Sequence, residues 1–234
     1  MNESPALLAE RERLLAVYRD LDTMHAWRGW HWWPDADPFE VIVGAILVQN
    51  TMWSNVERAL ERLRAAKALT PGAMSALSVE ELQELVRPSG QYRQKALKLA
   101  AFLALINEHG GLDALLALEP ETLRVRLLAT WGIGPETADC IILYAAREPK
   151  FIVDAYLIRL FTRLGIGPVE TANYDTWQRY FESTLPVDRD EWSRFRAEIV
   201  LHCKYLCLKN RPKCRECLLF ERCPGSPMRM GAGE

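Results

Sequence analysis

The sequence lacks any apolar run that could span a membrane. Its longest apolar runs, such as Val41–Val48, are interrupted by Gly44 and are far shorter than the roughly 20 residues that a membrane helix needs. Internal repeats are missing, and the only biased tract is a tail after Pro224 with Gly, Ser and Pro. A secretory leader is absent too. These absences predict a soluble, cytoplasmic protein without a membrane partner.

An excess of positive charge is also missing, because the formal net charge of the 234 residues is -2. Taken alone, this balance argues against a partner as anionic as nucleic acid. The average conceals a gradient, however, since Cys203–Arg229 contains seven Lys or Arg and only two Glu. Solvated surface and contact with phosphate account for this basic run equally well.

Strand signals are almost absent, whereas helical periodicity runs through nearly the whole chain. Apolar stripes at helical spacing lie within 56–66 and 96–106, and Ser78 with Glu81 makes a capping box that opens a further helix. Residues 39–48 are apolar on nearly all faces, as expected of a helix buried inside a bundle. The pattern therefore predicts an all-α fold.

Four cysteines near the carboxyl end are the most informative residues that are present. They are spaced C-x6-C-x2-C-x5-C: Cys207, Cys214, Cys217 and Cys223. Such a set, in a segment with too few apolar residues to fold alone, is typical of ligands of one metal centre. Zinc usually draws on two short Cys-x2-Cys pairs or on Cys with His, so a single 4Fe–4S cluster suits the spacing better. Disulfides are a third alternative, disfavoured by two further cysteines, Cys140 and Cys203, and by the missing leader.

The segment Leu128–Ala138 has the form of a hairpin between two helices. Gly132 and Gly134 permit a tight backbone, Ile133 is predicted to point into the core, and Pro135 suits the first position of the second helix. The amides at that helix start, aided by the helix dipole, can bind a phosphate without a basic side chain. Gly-x-Gly alone is weak evidence, since many helix–helix turns use it.

The sequence resembles the endonuclease III superfamily of helix-hairpin-helix DNA glycosylases when three motifs are taken in order. These are Gly-Ile-Gly-Pro-x-Thr-Ala in the hairpin, the Val-Asp pair ending at Asp154, and the four cysteines, within a match that runs from about Phe39 to Cys223. The resemblance implies an all-α, two-domain helix-hairpin-helix glycosylase fold. It also implies double-stranded DNA as the partner of a monomer, which would associate with the bacterial nucleoid when bound to DNA.

The resemblance further implies a division into domains. Residues 36–149 would form a six-helix barrel, with the helix-hairpin-helix at about 121–147. Residues 1–35 and 150–234 would form a helical iron–sulfur domain with the cluster loop at 207–223. DNA would lie across the groove between the domains, with a damaged nucleotide flipped into it, because chemistry at a glycosidic bond cannot reach a base inside the stack.

Two acidic residues decide the predicted chemistry. Asp154 matches the catalytic aspartate of the family, whose carboxylate stabilises positive charge on the sugar or activates water, although an Asp that opens a helix is also an ordinary N-cap. Glu136 occupies the position where bifunctional members carry the lysine that forms a Schiff base. Because a carboxylate cannot form an imine, the sequence predicts a monofunctional glycosylase.

Aromatic residues resemble the bacterial 3-methyladenine glycosylase branch of the superfamily. In that branch the segment Trp32-Trp33-Pro34 and an aromatic at the position of Trp53 line the base pocket, and Lys204 matches a lysine near it. Flat π-rich faces attract cationic alkylated purines. Core packing is the alternative for these tryptophans. The best-known members of that branch lack the iron–sulfur cysteines, so this chain combines features of two branches.

Several residues are predicted to contact DNA. The resemblance places Gln49 in the gap left by the flipped base and Gln91 as a wedge from the opposite strand. The alternatives are a polar residue at a helix end for Gln49 and a polar turn residue for Gln91. Phosphate contacts are predicted at the hairpin and in the cluster loop: Gly132, Ile133, Gly134, Thr137, Lys209, Arg211 and Lys213.

Three functions remain in competition. The favoured function is a DNA N-glycosylase of base excision repair that acts on alkylated purines. An endonuclease III-like enzyme for oxidised pyrimidines, with weak or no lyase activity, is the alternative within the same class. A DNA lesion-binding protein with little catalysis is the alternative from another class.

Overall fold

The computed structural model describes residues 4–25 and 36–226. Within these ranges the chain forms twelve α-helices and no strand, which confirms the all-α prediction. The helices are α1 (Pro5–His25), α2 (Pro38–Leu47), α3 (Trp53–Ala65), α4 (Pro71–Ser75), α5 (Val79–Val86), α6 (Tyr92–Glu108), α7 (Leu112–Leu116), α8 (Pro120–Ala129), α9 (Pro135–Tyr144), α10 (Ala155–Leu164), α11 (Tyr174–Thr184) and α12 (Arg189–Tyr205). None of these described helices is both long and apolar enough to cross a membrane.

The described residues fall into two compact units. One comprises those within Met1–Trp32 and Pro149–Glu234, and the other those within Trp33–Glu148. We call them the terminal unit and the central unit. The central unit contains α2 to α9, and the terminal unit contains α1 and α10 to α12.

Helix α2 lies at the core of the central unit. Its residues from Val41 to Leu47 are all buried, because the sequence offers no polar side chain there to face solvent. Asp37 caps the helix by accepting a hydrogen bond from the amide of Phe39 at 2.8 Å. The prediction of a helix buried inside a bundle is confirmed for Val41 to Leu47.

Two amphipathic helices pack in the same core. The apolar stripe of α3 buries Val56, Ala59, Leu60 and Leu63, and that of α6 buries Ala96, Leu99, Phe102, Leu103 and Ile106.

Helix α5 begins with the predicted capping box. The Glu81 amide donates to Ser78 Oγ at 3.2 Å, and the Ser78 amide donates to Glu81 Oε2 at 2.8 Å.

The terminal unit is built around aromatic side chains. Phe151 stacks on Phe181 with ring centroids 4.5 Å apart, and Phe161 and Phe195 pack edge-on against Phe181. Helix α1 adds Leu14, Val17 and Leu21, all without solvent exposure. These contacts join the first helix of the chain to helices more than a hundred residues later in one hydrophobic core.

A buried carboxyl group lies between α1 and α12. Glu198 is only 3% exposed, and its pKa is raised to about 9, first by burial and further by the neighbouring carboxyl group of Asp22. In the unfolded chain a glutamate has a pKa of about 4.3. Folding therefore takes up a proton at neutral pH, and this proton uptake lowers stability as the pH rises from about 4.3 towards 9.

We expect Glu198→Gln to stabilise the protein at pH 8, by about 1 to 3 kcal/mol, because the neutral amide removes the need to bury or protonate a carboxylate. The gain should shrink as the pH falls to 5, where wild-type Glu198 is protonated in the folded state at little cost. Urea unfolding at both pH values measures the difference. Glu170→Gln, an exposed loop substitution, is the control. An equal effect of Glu198→Gln at pH 5 and pH 8 would contradict the assignment of a raised pKa.

Candidate active site and cysteine centre

Asp154 is the N-cap of α10. Its Oδ1 accepts hydrogen bonds from the amides of Tyr156 at 2.9 Å and Leu157 at 2.8 Å, so two otherwise unsatisfied amides of the first turn hold one side of the carboxylate. Its Oδ2 lies 3.7 Å from Nη2 of Arg196, and the side chain is only 10% exposed. The capping role considered from the sequence is therefore real. The catalytic role stays a prediction, and a fixed orientation of the carboxylate suits it.

Helix α12 places the positive charge of Arg196 beside this carboxylate. Arg196 is buried, and Lys204 lies two turns further along the same helix. The pKa of Lys204 is lowered by partial burial and by the charge of Arg196. Arg196 was not identified from the sequence, since an arginine in the middle of a helix carries no signal of its partner.

The hairpin between α8 and α9 is tightly folded. The amide of Ile133 donates to the Thr130 carbonyl at 3.1 Å, and the Ile133 side chain is buried as predicted. Gly132 has φ +84, which favours glycine, and a Cβ there would lie 2.4 Å from Cγ of Lys98, so any larger residue would also have to displace the Lys98 side chain. The prediction for Gly134 needs correction. Gly134 is extended at φ -96 and ψ 176, and a Cβ would meet open space, so its backbone does not require glycine.

Helix α9 starts as the sequence predicts, with Pro135 in its first turn and no side-chain hydrogen bond to its cap. Glu136 is exposed in that turn, whereas Thr137 is buried. Behind the turn, Arg124 of α8 donates through Nε to Oδ1 of Asp139 at 2.7 Å. Asp139 has no solvent exposure, so this ion pair joins the two helices from within.

Gln49 is held against the hairpin. Its Nε2 donates to the Gly132 carbonyl at 3.2 Å and to Thr137 Oγ1 at 3.0 Å, while Lys98 Nζ donates to its Oε1. Insertion of Gln49 into DNA, which stays a prediction, would require these bonds to break. Lys98 was missed in the sequence. The sequence shows Lys98 only as a lysine one turn beyond Lys95 on α6, which does not reveal its contact with Gln49.

The second predicted wedge, Gln91, is exposed at the amino end of α6. It has the left-handed backbone conformation, φ 47, directly after Gly90 at φ 67. Lys95 supports this turn from inside the unit. Its Nζ donates to the Ser89 carbonyl at 2.6 Å and to the Leu47 carbonyl at 2.8 Å, although the residue is only 1% exposed. One buried ammonium group therefore holds both segments that lead to the predicted wedges.

The four predicted metal ligands are free cysteines that line one small cavity of about 30 Å³. Cys140 and Cys203 are buried and do not line it. No group of three or more His, Cys, Asp or Glu side chains among the described residues is arranged to hold a metal ion. The thiols thus surround a shared space without converging on a point.

Two arginines of α10 bind the cysteine loop. Arg163 donates through Nη1 to Cys207 Sγ at 3.1 Å and to the Leu208 carbonyl at 2.9 Å. Arg159 donates through Nη2 to the carbonyls of Cys203 at 3.2 Å and Cys207 at 3.0 Å. The pKa of the Cys207 thiol is lowered to about 6, first by hydrogen bonding with Cys203 and then by Arg163. Burial raises the pKa of Cys217 to about 11.

Two buried histidines lie beside the cavity. His25 Nε2 is 3.1 Å from His202 Nδ1, and His202 Nε2 is 3.6 Å from Cys217 Sγ. Burial, together with the neighbouring His25, lowers the pKa of His202 to about 3, so its imidazole is neutral at physiological pH. No sequence signal pairs His25 with His202, because 177 residues separate them.

The structure describes only some of the predicted base-pocket residues. Trp32, Trp33 and Pro34 lie outside the described residues. Trp53 begins α3, where its ring packs against the edge of the central core and its Nε1 donates to Glu57 Oε1 at 2.9 Å. The pocket role of Trp53 stays a prediction beside this packing.

The basic residues of the cluster loop are open to solvent. Lys209 and Arg211 are exposed, Lys213 is nearby, and the Lys213 amide closes the loop by donating to the Leu206 carbonyl at 2.9 Å. Their charge is thus free to meet a phosphate backbone, although contact with DNA stays a prediction.

Comparison with known proteins identifies the class. Residues 43–184 match the family described as HhH-GPD superfamily base excision DNA repair protein. Since the match covers more than half of the chain, the chain belongs to this superfamily.

Relatives narrow the class further. A protein of Methanocaldococcus jannaschii that is named as a DNA repair glycosylase is 41% identical over 196 residues, which cover 82% of this chain and 88% of the relative. Endonuclease III of Thermotoga maritima is 29% identical over 190 residues, covering 81% of this chain and 84% of that enzyme. The chain is an endonuclease III-like DNA glycosylase of base excision repair.

Solved structures agree on the fold. A non-covalent endonuclease III–DNA complex superposes with a TM-score of 0.76 at 23% identity, covering 94% of this chain and 98% of the other. The 3-methyladenine DNA glycosylase MagIII of H. pylori, bound to 1,N6-ethenoadenine, superposes with a TM-score of 0.67 at 29% identity, covering 83% of this chain and 97% of the other. Relatives of both branches therefore share the fold.

We expect Lys95→Met to destabilise the protein by about 1 to 3 kcal/mol, because the carbonyls of Leu47 and Ser89 lose their buried donor. Burial lowers the pKa of Lys95 to about 8, against about 10.4 in an unfolded chain. The unfolded state then binds more protons between pH 8 and 10, so wild-type stability rises with pH in that window. The deficit of the variant should therefore grow from pH 7 to pH 10 in urea unfolding. Lys67→Met, at an exposed position, is the control, and a deficit that does not change with pH would contradict the lowered pKa.

Proposed function

We propose that this protein is a monofunctional DNA glycosylase that hydrolyses the glycosidic bond of an alkylated purine, such as 3-methyladenine, flipped out of duplex DNA. The observation that carries the monofunctional assignment is Glu136, which lies exposed in the first turn of α9 at the position of the lyase lysine. A carboxylate there has no amine with which to form an imine. Glu136 also complements the helix dipole, so the hairpin keeps its form without the lysine.

In this proposal Asp154 is the catalytic residue. Departure of the base leaves positive charge on the sugar, and a carboxylate nearby stabilises that charge or activates the attacking water. The two cap hydrogen bonds engage only Oδ1, so the carboxylate is oriented before substrate binds. Arg196, at 3.7 Å from Oδ2, limits rotation on the other side.

Two observations support an alkylated purine as the substrate. MagIII, a 3-methyladenine glycosylase, shares 29% identity and the fold. The sequence also carries the Trp32-Trp33-Pro34 segment and Trp53, which we propose as the walls of the base pocket, with Lys204 near it. Aromatic faces favour electron-poor, cationic bases, and the labile glycosidic bond of such bases needs little acid catalysis.

DNA binding is proposed to use the hairpin amides at 132–137, Gln49 and Gln91 as wedges, and the basic loop 209–213. The helix start of α9 suits a phosphate because no side chain caps it. The protein would bind damaged duplex DNA as a monomer in the cytoplasm.

We propose that Cys207, Cys214, Cys217 and Cys223 hold one 4Fe–4S cluster. Four free thiols around one cavity fit a cluster in which each iron takes one thiolate, and Arg163 offers a charge-assisted hydrogen bond to the sulfur of Cys207. When bound, the cluster would provide a rigid structural centre. It would hold the loop with Lys209, Arg211 and Lys213 in place.

An endonuclease III-like activity on oxidised pyrimidines is the second candidate. The relatives that carry the name endonuclease III favour it, including the Thermotoga maritima enzyme. Glu136 argues against a lyase step in such an enzyme, but it has no bearing on whether the enzyme releases an oxidised pyrimidine.

The decisive experiment incubates the purified protein with duplex oligonucleotides that carry 3-methyladenine, 1,N6-ethenoadenine, an oxidised pyrimidine or a mismatch. We expect release of the alkylated purine, strand cleavage only after alkali, and no covalent product with borohydride. Release of an oxidised pyrimidine alone would replace the substrate assignment with the second candidate. A borohydride-trapped complex would overturn the monofunctional assignment.

Asp154→Asn should lower base release about 100-fold or more while leaving DNA binding nearly unchanged. Asparagine is also a good N-cap, so the change removes the charge and keeps the start of α10. Single-turnover base release and a binding isotherm on the same duplex measure the two effects. Asp188→Asn, a matched change at the cap of α12, should release base at the wild-type rate. Unchanged release by Asp154→Asn would point to a lesion-binding protein, or to catalysis by another group.

Joint replacement of Lys209, Arg211 and Lys213 by Gln should weaken binding to damaged and undamaged duplexes alike. For each phosphate that the loop no longer neutralises, the slope of log K against log salt should become shallower by about 0.9. Arg179→Gln, on the exposed face of α11, serves as the control. A change in lesion preference with an unaltered salt slope would show that this loop does not bind phosphate.

A further inference from the structure

We infer that His202, supported by His25, donates a hydrogen bond to the thiolate of Cys217 and so acts as a positioning residue of the proposed cluster. This inference rests on the proposed 4Fe–4S centre. It assigns a task to two buried imidazoles that the reaction itself does not use.

The geometry is a chain of three groups drawn from distant parts of the terminal unit. His25 ends α1, His202 lies in the last turns of α12, and Cys217 follows the short helical turn Cys214–Glu216. The links are 3.1 Å from His25 Nε2 to His202 Nδ1 and 3.6 Å from His202 Nε2 to Cys217 Sγ. His25 is 2% exposed and His202 is not exposed at all, so water does not compete for these bonds.

Metal coordination would fix which atom donates in each of these hydrogen bonds. A neutral imidazole has one N–H and one acceptor nitrogen, and a coordinated thiolate has no proton to give. The hydrogen therefore has to reside on Nε2 of His202, which leaves Nδ1 of His202 as an acceptor. His25 must then donate through its own Nε2. Without a metal, Cys217 as a thiol could donate instead, and both tautomers could reverse.

The bond would give Cys217 the kind of donor that Cys207 already has. Arg163 Nη1 donates to Cys207 Sγ at 3.1 Å, and His202 Nε2 lies 3.6 Å from Cys217 Sγ. An N–H donor stabilises a thiolate that is partly removed from water, and hydrogen bonds to ligand sulfurs are among the factors that set the properties of iron–sulfur centres.

The carboxyl end of α1 contacts the same loop at two further points. The Leu218 amide lies 3.5 Å from Met24 Sδ, and Arg222 Nη2 pairs with Asp20 Oδ2 at 2.9 Å. Asp20 and Met24 thus contact the loop that carries Cys217 and Cys223 directly, and His25, in the same two turns of α1, is linked to it through His202. Removal of the histidine chain should therefore loosen the cluster without displacing the whole helix.

The test compares full-length holoprotein as wild type, His202→Leu, His202→Gln, His25→Leu and the control His109→Leu. His109 belongs to the central unit, where its ring bonds the carbonyl of Leu105. Iron and sulfide content and the visible spectrum are measured first. The rate of iron release to a chelator is then followed without DNA, together with the reduction potential of the cluster.

We expect His202→Leu to release iron about 10-fold faster or more, as is usual when a supporting partner of a metal ligand is removed, and to shift the reduction potential to more negative values. His202→Gln, which can place an N–H near the Nε2 position, should recover part of the retention of iron. His25→Leu should lie between wild type and His202→Leu, and His109→Leu should match wild type.

The outcomes separate this inference from the proposed function. A wild-type protein without iron and sulfide would overturn the cluster itself. A loaded wild type with release rates and potentials that are unchanged in His202→Leu would overturn the hydrogen bond alone. Equal acceleration in His202→Leu and His202→Gln would show that packing, not donation, supports Cys217. If His202→Leu does not fold, the comparison of His25→Leu with His202→Gln replaces it. Iron release and a reduction potential like those of the wild type in His25→Leu would then contradict the proposed series of hydrogen bonds.

Discussion

Helix α10 is the element on which the arrangement of the terminal unit depends. Asp154 caps its amino end, and Arg159 and Arg163, one turn apart on one face, donate to the carbonyls of Cys203, Cys207, Leu208 and Lys209. The Cys203 carbonyl lies in the last turn of α12 and the other three follow the end of that helix, so the arginines satisfy groups that would otherwise be costly. The predicted catalytic carboxylate and the cysteine loop are therefore attached to opposite ends of one rigid helix.

The central unit uses buried and half-buried lysines in a comparable way. Lys95 holds the ends of two segments through backbone carbonyls, and Lys98 closes a small network of Gln49, Gly132 and Thr137 at the hairpin. In both cases a long aliphatic stem packs inside the unit while the ammonium group meets oxygen atoms that need a donor. The predicted wedges thus depend on lysines that need not touch DNA themselves.

The sequence allowed accurate prediction where the cause is local. Apolar spacing in α2, α3 and α6, the Ser78–Glu81 capping box and Pro135 each determine structure within a few residues. Prediction failed where the cause is distant. Arg196 beside Asp154, Lys98 beside Gln49 and His25 beside His202 depend on chain segments that only the fold brings together. The error at Gly134 has another origin, because a Gly-x-Gly pattern does not reveal which glycine adopts positive φ.

The two acidic positions on which the proposed chemistry depends differ in how strongly the structure constrains them. Asp154 is nearly buried and caps a helix, so its side chain contributes both to the start of α10 and to the charge of the site. Glu136 is exposed in the first turn of α9, while Gly132, Ile133 and the Arg124–Asp139 ion pair maintain the hairpin. A lysine or a glutamate at position 136 is thus compatible with the same hairpin. Under the proposed mechanism, lyase chemistry depends on one surface position, whereas base release depends on a carboxylate that also caps α10.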